Sequence, residues 1–502
     1  MTINTINTKN TNETYRHHYH LMPEYGWMND PNGFSFFNNS YHLFYQYYPY
    51  DTVWGPMHWA HAVSDDLIKW DHEKIALRPD KSYDKNGVFS GSGLQVGNEH
   101  WLYYTGHNDS FLDFLYDQNL KKKEGVIESE EIVSPIRQVQ CLAKSADGIT
   151  YEKYEHNPVI SSQQVPSNIR LEDFRDPKVW EHHDRFYMIV GAKSHENVGH
   201  VLFYCSNDGV TWEYLNQLSL GPEYGTAWEC PDLFELDGKH VLIFSPQEIP
   251  RIGYRYENIH STMALIGEFD YETGEFIVEN EQELDQGFDF YAPQTILSEE
   301  GKRVMVAWMN MWDVEYPLHE LGHGWNGSMT LPRELLLKDG KLIQKPYHTI
   351  DKYREERIEW SHFSIKDYFE NDKLHGNCQK MEIQFCMNDS DYFNMEFFKG
   401  DREKLLLSFD KSRNEIVLDR RNAQFPIKNM AIHNDFTRSH SIDLSQKVKL
   451  NIFLDVSSIE IFVNDGEHVF TSLFFSKELG KQVLLHSEGH THIDELIKWE
   501  LR

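Results

Sequence analysis

The stretch that decides the fold is DPNGFSFFNNSYHLFYQYY, residues 30–48: a Pro-bearing polar start, a short apolar run, the turn Asn38-Asn39 and a second β-rich run. That order reads as a hairpin of two antiparallel strands. It recurs four times, as FSGSGLQVGNEHWLYYTGH (89–107), DPKVWEHHDRFYMIVGAK (176–193), CPDLFELDGKHVLIFSPQ (230–247) and APQTILSEEGKRVMVAWMN (292–310). The matching turns are Gly97-Asn98, His183-Asp184, Asp237-Gly238 and Glu300-Gly301. A second echo runs between the hairpins: SADGITYE (145–152) matches SNDGVTWE (206–213) and, more loosely, SDDLIKWD (64–71). It reads as the turn joining the outer strands of each unit. The units start at residues 30, 89, 176, 230 and 292, intervals that suit four strands plus loops. Five such units predict an all-β chain whose first part is a five-bladed β-propeller.

The long second interval contains a charged insertion over 108–136 with the run Lys121-Lys122-Lys123. It is expected to be a rim loop or short helix near the entrance, its lysines solvated, although a phosphate on a substrate would be met there. Past Pro346 the repeat disappears, and alternating strands follow, as in KVKLNIFLDV (447–456) and IEIFV (459–463) before the turn Asn464-Asp465-Gly466. This region reads as a β-sandwich. The expected division is a propeller over 15–346, a linker over 347–358 and a sandwich over 359–502. Ile350–Arg357 is the best candidate for a short connecting helix.

Composition removes several classes of function. With 502 residues, 40% hydrophobic, and with 30 Phe, 27 Tyr and 13 Trp, the chain is folded rather than disordered. A net charge of −31 repels a nucleic-acid duplex and an anionic bilayer, so neither is expected as a partner. No apolar run approaches the roughly 20 residues of a spanning helix. The first twenty residues lack the pattern of a secretory signal, which points to a cytoplasmic protein. Five scattered cysteines fit reduced thiols better than a disulfide framework.

The innermost strands of a propeller begin together at one face of the disc, so residues at repeat starts converge. Three carboxylates sit at or just before such starts: Asp30, Asp176 and Glu229. One Asp-Pro alone is as readily an Asx-type turn. Three at equivalent positions argue for glycoside hydrolysis, in which one carboxyl protonates the leaving oxygen and another attacks the anomeric carbon or activates water. Aromatic residues crowd the same turns (Trp27, Trp54, Trp59, Phe89, Tyr291, Trp308) and suit the flat C–H faces of sugars. Cys230 reads as a small packed residue. His319-Glu320-Leu321-Gly322-His323 matches the zinc motif HExxH only formally, because Pro317, Gly322 and Gly324 break the helix that motif requires.

The run WMNDPNG (27–33) resembles the signature of the invertase and levanase family of β-fructofuranosidases, glycoside hydrolase family 32. Further matches follow in the family's order: Gln46 in YQY, Trp54 in VWGP, FSGS (89–92), RDP (175–177), ECPD (229–232), DFYA (289–292) and DVSSIE (455–460). Within the family, YHLFYQ (41–46) and WGPMHW (54–59) are similar to bacterial sucrose-6-phosphate hydrolases and intracellular sucrases. The resemblance implies a propeller followed by a sandwich. It implies Asp30 as nucleophile, Glu229 as acid/base and Asp176 as stabiliser of the fructosyl group. Asn29, Gln46, Trp54, Phe89, Ser90, Arg175, Tyr291 and Trp308 would line the fructose pocket, with no metal or organic cofactor. Double displacement needs carboxyl groups roughly 5–5.5 Å apart. A raised Glu229 pKa is expected, and Arg175 is expected to keep Asp176 ionised. Sucrose, sucrose 6-phosphate and short fructo-oligosaccharides are the expected substrates, with fructosyl transfer to sugar as an accompanying reaction. An inverting glycosidase and a noncatalytic sugar-binding propeller are the alternatives. The sandwich offers a surface for pairing into a homodimer.

Overall fold

In the computed structural model, which describes residues 11–109, 136–429 and 436–502, each hairpin grows into an antiparallel blade. Blade I is Gly26–Phe37, Ser40–Tyr48, His58–Ser64 and Asp71–Leu77. Blade II is Gly87–Val96, Glu99–Asn108, Arg137–Ser145 and Glu152–Lys153. Blade III is Ile169–His182, Arg185–Ser194, Gly199–Ser206 and Glu213–Leu218. Blade IV is Trp228–Leu236, Lys239–Pro246, Met263–Phe269 and Phe276–Glu283. Blade V is Tyr291–Leu297, Arg303–Trp308, Arg333–Lys338 and Lys341–Pro346. Most of the insertion over 108–136, including Lys121-Lys122-Lys123, lies outside the described residues.

Strand periodicity explains the ring. Alternate side chains leave opposite faces of a strand, and each face of a blade packs on a neighbour. Five apolar clusters result: Phe44 with Val88 and Leu102 between blades I and II, Tyr103 with Val179 and Met188 between II and III, and Ile189 with Leu233 and Phe244 between III and IV. Ile243 with Met305 and Leu342 fills the gap between IV and V, and Val304 with Phe34 and Leu43 fills that between V and I. The ring is closed by a parallel pairing of Trp325–Asn326, from a loop of blade V, with Gly26 and Trp27 of blade I. The next residue, Gly327, has φ +100°, and a Cβ there would sit 2.2 Å from the Met28 carbonyl oxygen. No other residue fits that seam.

The repeated outer turns share one hydrogen-bond pattern. The Leu67, Gly148 and Gly209 amides donate to the hydroxyls of Ser64, Ser145 and Ser206. Asp66, Asp147 and Asp208 each accept from the amides two and three residues on. These Asx-type turns fix the edge of blades I, II and III from local sequence alone.

The C-terminal lobe is a sandwich made by folding one sheet. Cys378–Lys399 and Gln482–Leu501 pair along nearly their whole length. On its other edge the first half of Cys378–Lys399 pairs with Val448–Asp455 and the second half with Lys404–Asp410, so the sheet divides into two leaves at the register breaks near 386–392. Gly489 allows the corner: its φ is +97°, and a Cβ would lie 2.3 Å from the Asp389 carbonyl oxygen. Met381, Ile383, Phe393, Met395, Ile452 and Leu485 fill the space between the leaves. The connecting helix differs from expectation. It is a 3-10 helix over His348–Tyr353, and Arg354 already begins the strand Arg354–Ile365, because that backbone pairs with the C-terminal strand from Leu501 onward. Tertiary pairing overrides a weak helical preference.

Buried ion pairs join the lobes. Arg333 of blade V binds Asp285 at 3.0 Å and Glu460 at 2.7 Å, and Arg420 of the sandwich binds Asp289 at 2.6 Å. His20 sits between Asp455 at 2.8 Å and Glu460 at 3.0 Å. Among the described residues no helix is long and apolar enough to cross a membrane.

Candidate active site

Every innermost strand breaks register where the repeat begins. In blade I, Asn29 and Asp30 share the place opposite Gln46, and in blade II Ser90 is the extra residue between Phe89 and Gly91. Asp176-Pro177 oppose Val190 in blade III, Cys230-Pro231 oppose Phe244 in blade IV, and Ala292-Pro293 oppose Ala307 in blade V. Proline cannot donate to the ladder, so it marks a bulge, and a bulge re-aims the neighbouring side chains. Asp176, Cys230 and Ala292 take left-handed φ values of 67°, 48° and 52°. Register breaks at five equivalent points, three of them with left-handed backbone, thus turn side chains from five blades toward the axis.

Two rows of residues follow from this register. Phe89, Arg175, Glu229 and Tyr291 precede the bulges, with Asn29 as the first bulge residue of blade I beside them, while Asp30, Ser90, Asp176, Cys230 and Ala292 lie at them. In the first row Arg175 donates to Glu229 Oε1 from Nη2 (2.8 Å) and Nε (3.0 Å), and the Tyr291 hydroxyl donates to Glu229 Oε2 at 2.6 Å. In the second row the Ser90 hydroxyl donates to Asp30 Oδ2 at 2.7 Å and the Cys230 amide to Asp176 Oδ2 at 2.9 Å. The Cys230 thiol lies 3.5 Å from Oδ2 of both aspartates. Asp30 Oδ1 is buried without a hydrogen-bond partner among the described residues. These groups share a cavity of about 410 Å³ whose wall includes Asn29, Asp30, Gln46, Ser90, Asp176 and Glu229.

Electrostatics separates the three acids. Burial raises the Asp30 pKa, opposed by the Ser90 hydrogen bond and reinforced by the Glu229 charge. Burial also raises Asp176, to about 7, with Arg175 opposing and Glu229 and Asp30 adding to the rise. For Glu229 burial again acts upward, but Arg175 and the Tyr291 hydroxyl outweigh it and hold the group below its ordinary value. The expected raised Glu229 pKa is therefore corrected. Arg175 spends its guanidinium on Glu229, Asp173 and Gln138 instead of hydrogen-bonding Asp176. The bulge explains this, because Arg175 shares the register row of Glu229 and not that of Asp176. Burial and the adjoining acids push the Cys230 thiol well above its ordinary range, so it remains a proton donor to its neighbours.

The other residues singled out from sequence divide into two groups. Asn29, Gln46, Phe89, Ser90 and Arg175 line the cavity, and Trp54, 48% exposed, forms its rim. Tyr291 is buried and acts through its hydroxyl on Glu229. Trp308 is fully buried outside the lining, with its ring 5.9 Å from Trp27 and 5.0 Å from Trp312. Trp312 takes the place in the wall that was expected for Trp308. His107, Gln138, Glu172, Gln247 and Trp312 also line the site without having been read from sequence. Only the spacing in WMNMW (308–312) offered a signal for Trp312. His107, stacked on Phe89 at 4.1 Å, and Gln138, bonded to Arg175, come from strands flanking the insertion and carry no motif. His319 and His323 lie in turns with separate partners, Thr52 and the Asn12 carbonyl.

A five-bladed propeller that gathers two buried aspartates and a half-buried glutamate clasped by an arginine and a tyrosine has the features of a glycoside hydrolase. Comparison with known proteins makes this specific. The model of the glycosyl hydrolases family 32 N-terminal domain matches residues 20–346, and that of the family 32 C-terminal domain matches residues 349–500. The chain belongs to glycoside hydrolase family 32. A sucrose-6-phosphate hydrolase of Escherichia coli is 37% identical over 97% of this chain and 95% of its own. Two solved structures resemble it throughout. A β-fructofuranosidase variant of Bombyx mori in complex with sucrose has a TM-score of 0.80 and 34% identity, covering 99% of this chain and 96% of that one. A sucrose-6-phosphate hydrolase of Lactobacillus gasseri has a TM-score of 0.84 and 26% identity, covering 97% and 93%.

Proposed function

We propose that this enzyme is a retaining β-fructofuranosidase that releases fructose from terminal non-reducing β-D-fructofuranosyl groups of sucrose, sucrose 6-phosphate or short fructo-oligosaccharides. The observation that carries the reading is Asp30, buried and held through Oδ2 by Ser90, in one cavity with Glu229. Asp30 attacks the anomeric carbon as the bond to the leaving oxygen breaks, and Glu229 delivers a proton to that oxygen. Water deprotonated by Glu229 then attacks the fructosyl-enzyme and frees Asp30. Asp176 accepts hydrogen bonds from fructosyl hydroxyls. Glu229 must gain a proton before the first step, so bound sugar has to draw Arg175 away from Oε1. Arg175 already shares Nη1 with Asp173 and Gln138, which provides a resting place for the guanidinium. Five buried or half-buried unpaired cysteines support a reducing, cytoplasmic setting.

Asp30, Asp109, Glu172, Asp176 and Glu229 line the cavity together with Arg175 and His107. Arg175 is committed to acids, while burial, aided by Arg175, pushes His107 down to about 4, so its ring is neutral at pH 7. The test is kcat/KM for fructose release from sucrose, sucrose 6-phosphate and 1-kestose, with Asp30→Asn as blank and NMR of the first-formed anomer. Release with retained configuration is expected, and the ratio of the three values ranks the substrates. Inversion, or no release from any of them, overturns the reading.

A further inference from the structure

We propose that the outside of the sandwich carries a binding site for a divalent d-block cation of the zinc class, built from His362, His492 and Asp494. The strands Arg354–Ile365 and Gln482–Leu501 run antiparallel, with Ser361 opposite Glu495, Phe363 opposite Ile493 and Ser364 opposite His492. That register sets His362 against Asp494. His492, two residues along, shares their face. One donor atom from each of the three side chains lies within 4.8 Å of the other two.

The donors are also aimed. His492 Nε2 lies 3.3 Å from Asp494 Oδ1, while its other ring nitrogen, Nδ1, lies 3.5 Å from the Ser364 hydroxyl. An outer-shell hydroxyl on Nδ1 leaves Nε2 as the ligating nitrogen, the arrangement usual for metal-bound imidazole. His362 adopts a left-handed φ of 53° inside a strand, a strained conformation for a side chain of its size. Among the described residues Lys447 competes, 2.6 Å from Asp494 Oδ2, which leaves Oδ1 to the ion. Two imidazoles and one carboxylate suit Zn²⁺, Cu²⁺ or Ni²⁺ better than Mg²⁺ or Ca²⁺, and solvent completes the coordination. Both histidines are exposed, so an ion can reach them. The buried group His17, His20 and Asp455 offers similar atoms, but both nitrogens of His20 are already engaged by Asp455 and Glu460. Because the proposed site is on the sandwich, its occupancy is independent of the chemistry at the propeller axis; a bound ion would tie the two strands together.

The test uses the full chain freed of metal by chelator dialysis and titrated with zinc chloride by calorimetry. Saturable one-to-one binding is expected, weakened about tenfold or more by His362→Ala and by His492→Ala, and strengthened by Lys447→Ala, with fructose release unchanged in all three variants. Absence of saturable uptake by the parent protein, or uptake that survives the double variant His362→Ala/His492→Ala, overturns the proposal.

Discussion

Two sets of buried acids in this molecule look alike in sequence and behave oppositely in structure. Between the lobes, Asp455 and Glu460 resist the upward push of burial: His20 holds the first, and Arg333 and His20 hold the second, below the ordinary carboxylate range. At the propeller axis, Asp30 and Asp176 are raised because burial prevails over their few donors. The interface acids are paired by design of the packing, which suits a structural role. The axial acids are gathered close together with too few cations, which makes them reactive and costs stability.

Replacing one member of each set should separate the two roles. The largest effect is expected from Asp30→Asn, which should lower kcat by about ten-thousand-fold or more while leaving the thermal midpoint unchanged or raised. It removes a charge that burial disfavours. A fall in midpoint together with activity would show the axis to be structural. Arg333→Met should do the reverse. It leaves Glu460 and Asp285 without their guanidinium and should cost about 3–5 kcal/mol of stability in chemical denaturation, with kcat of the folded fraction retained.

The third effect depends on pH. Burial lowers the His20 pKa, but hydrogen bonds to Asp455 and Glu460 outweigh it and push it up to about 9 from 6.5. A pKa raised on folding adds stability that is complete below the unfolded value near 6.5 and is lost as pH rises through about 9. That loss should amount to about 3 kcal/mol, read as a falling denaturation midpoint between pH 6.5 and 9.5, and His20→Gln should flatten it. A slope unaffected by His20→Gln would assign the dependence to another group. The smallest effect is expected from Tyr291→Phe, which removes the hydroxyl on Glu229 Oε2. The Glu229 pKa should rise, moving the alkaline limb of the kcat/KM profile, where the acid loses its proton, to higher pH, with a loss of roughly 10- to 100-fold for one hydrogen bond to a charged group. A uniform loss with no movement of that limb would mean that Tyr291 acts on the substrate and not on Glu229.

The same contrast marks what was legible beforehand. Asp30, Asp176 and Glu229 stand out because each occurs at or just before a repeat start, and repeats map onto equivalent places in a ring. Nothing in that pattern distinguishes the row before the bulge from the row at it. The sequence reading therefore paired Arg175 with Asp176, its neighbour in the chain, whereas the guanidinium reaches Glu229 on the next blade. The sequence singles out Trp308 and gives no motif for Trp312: four residues apart, one lies in the strand and the other in the loop after it. Both rings pack on Trp27, and it is Trp312, from the loop, that reaches the cavity wall.

The chain by itself determined the architecture, because hairpin turns, strand alternation and the Ser-x-Asp outer turns are local signals that repetition amplifies. It also determined which acids meet, since ring geometry converts equal repeat positions into proximity. Tertiary structure alone decided which acids carry a proton, which cation serves which carboxylate and which aromatic faces the sugar. Those properties depend on burial and on distances between blades far apart in sequence. A bulge of one residue is enough to change them.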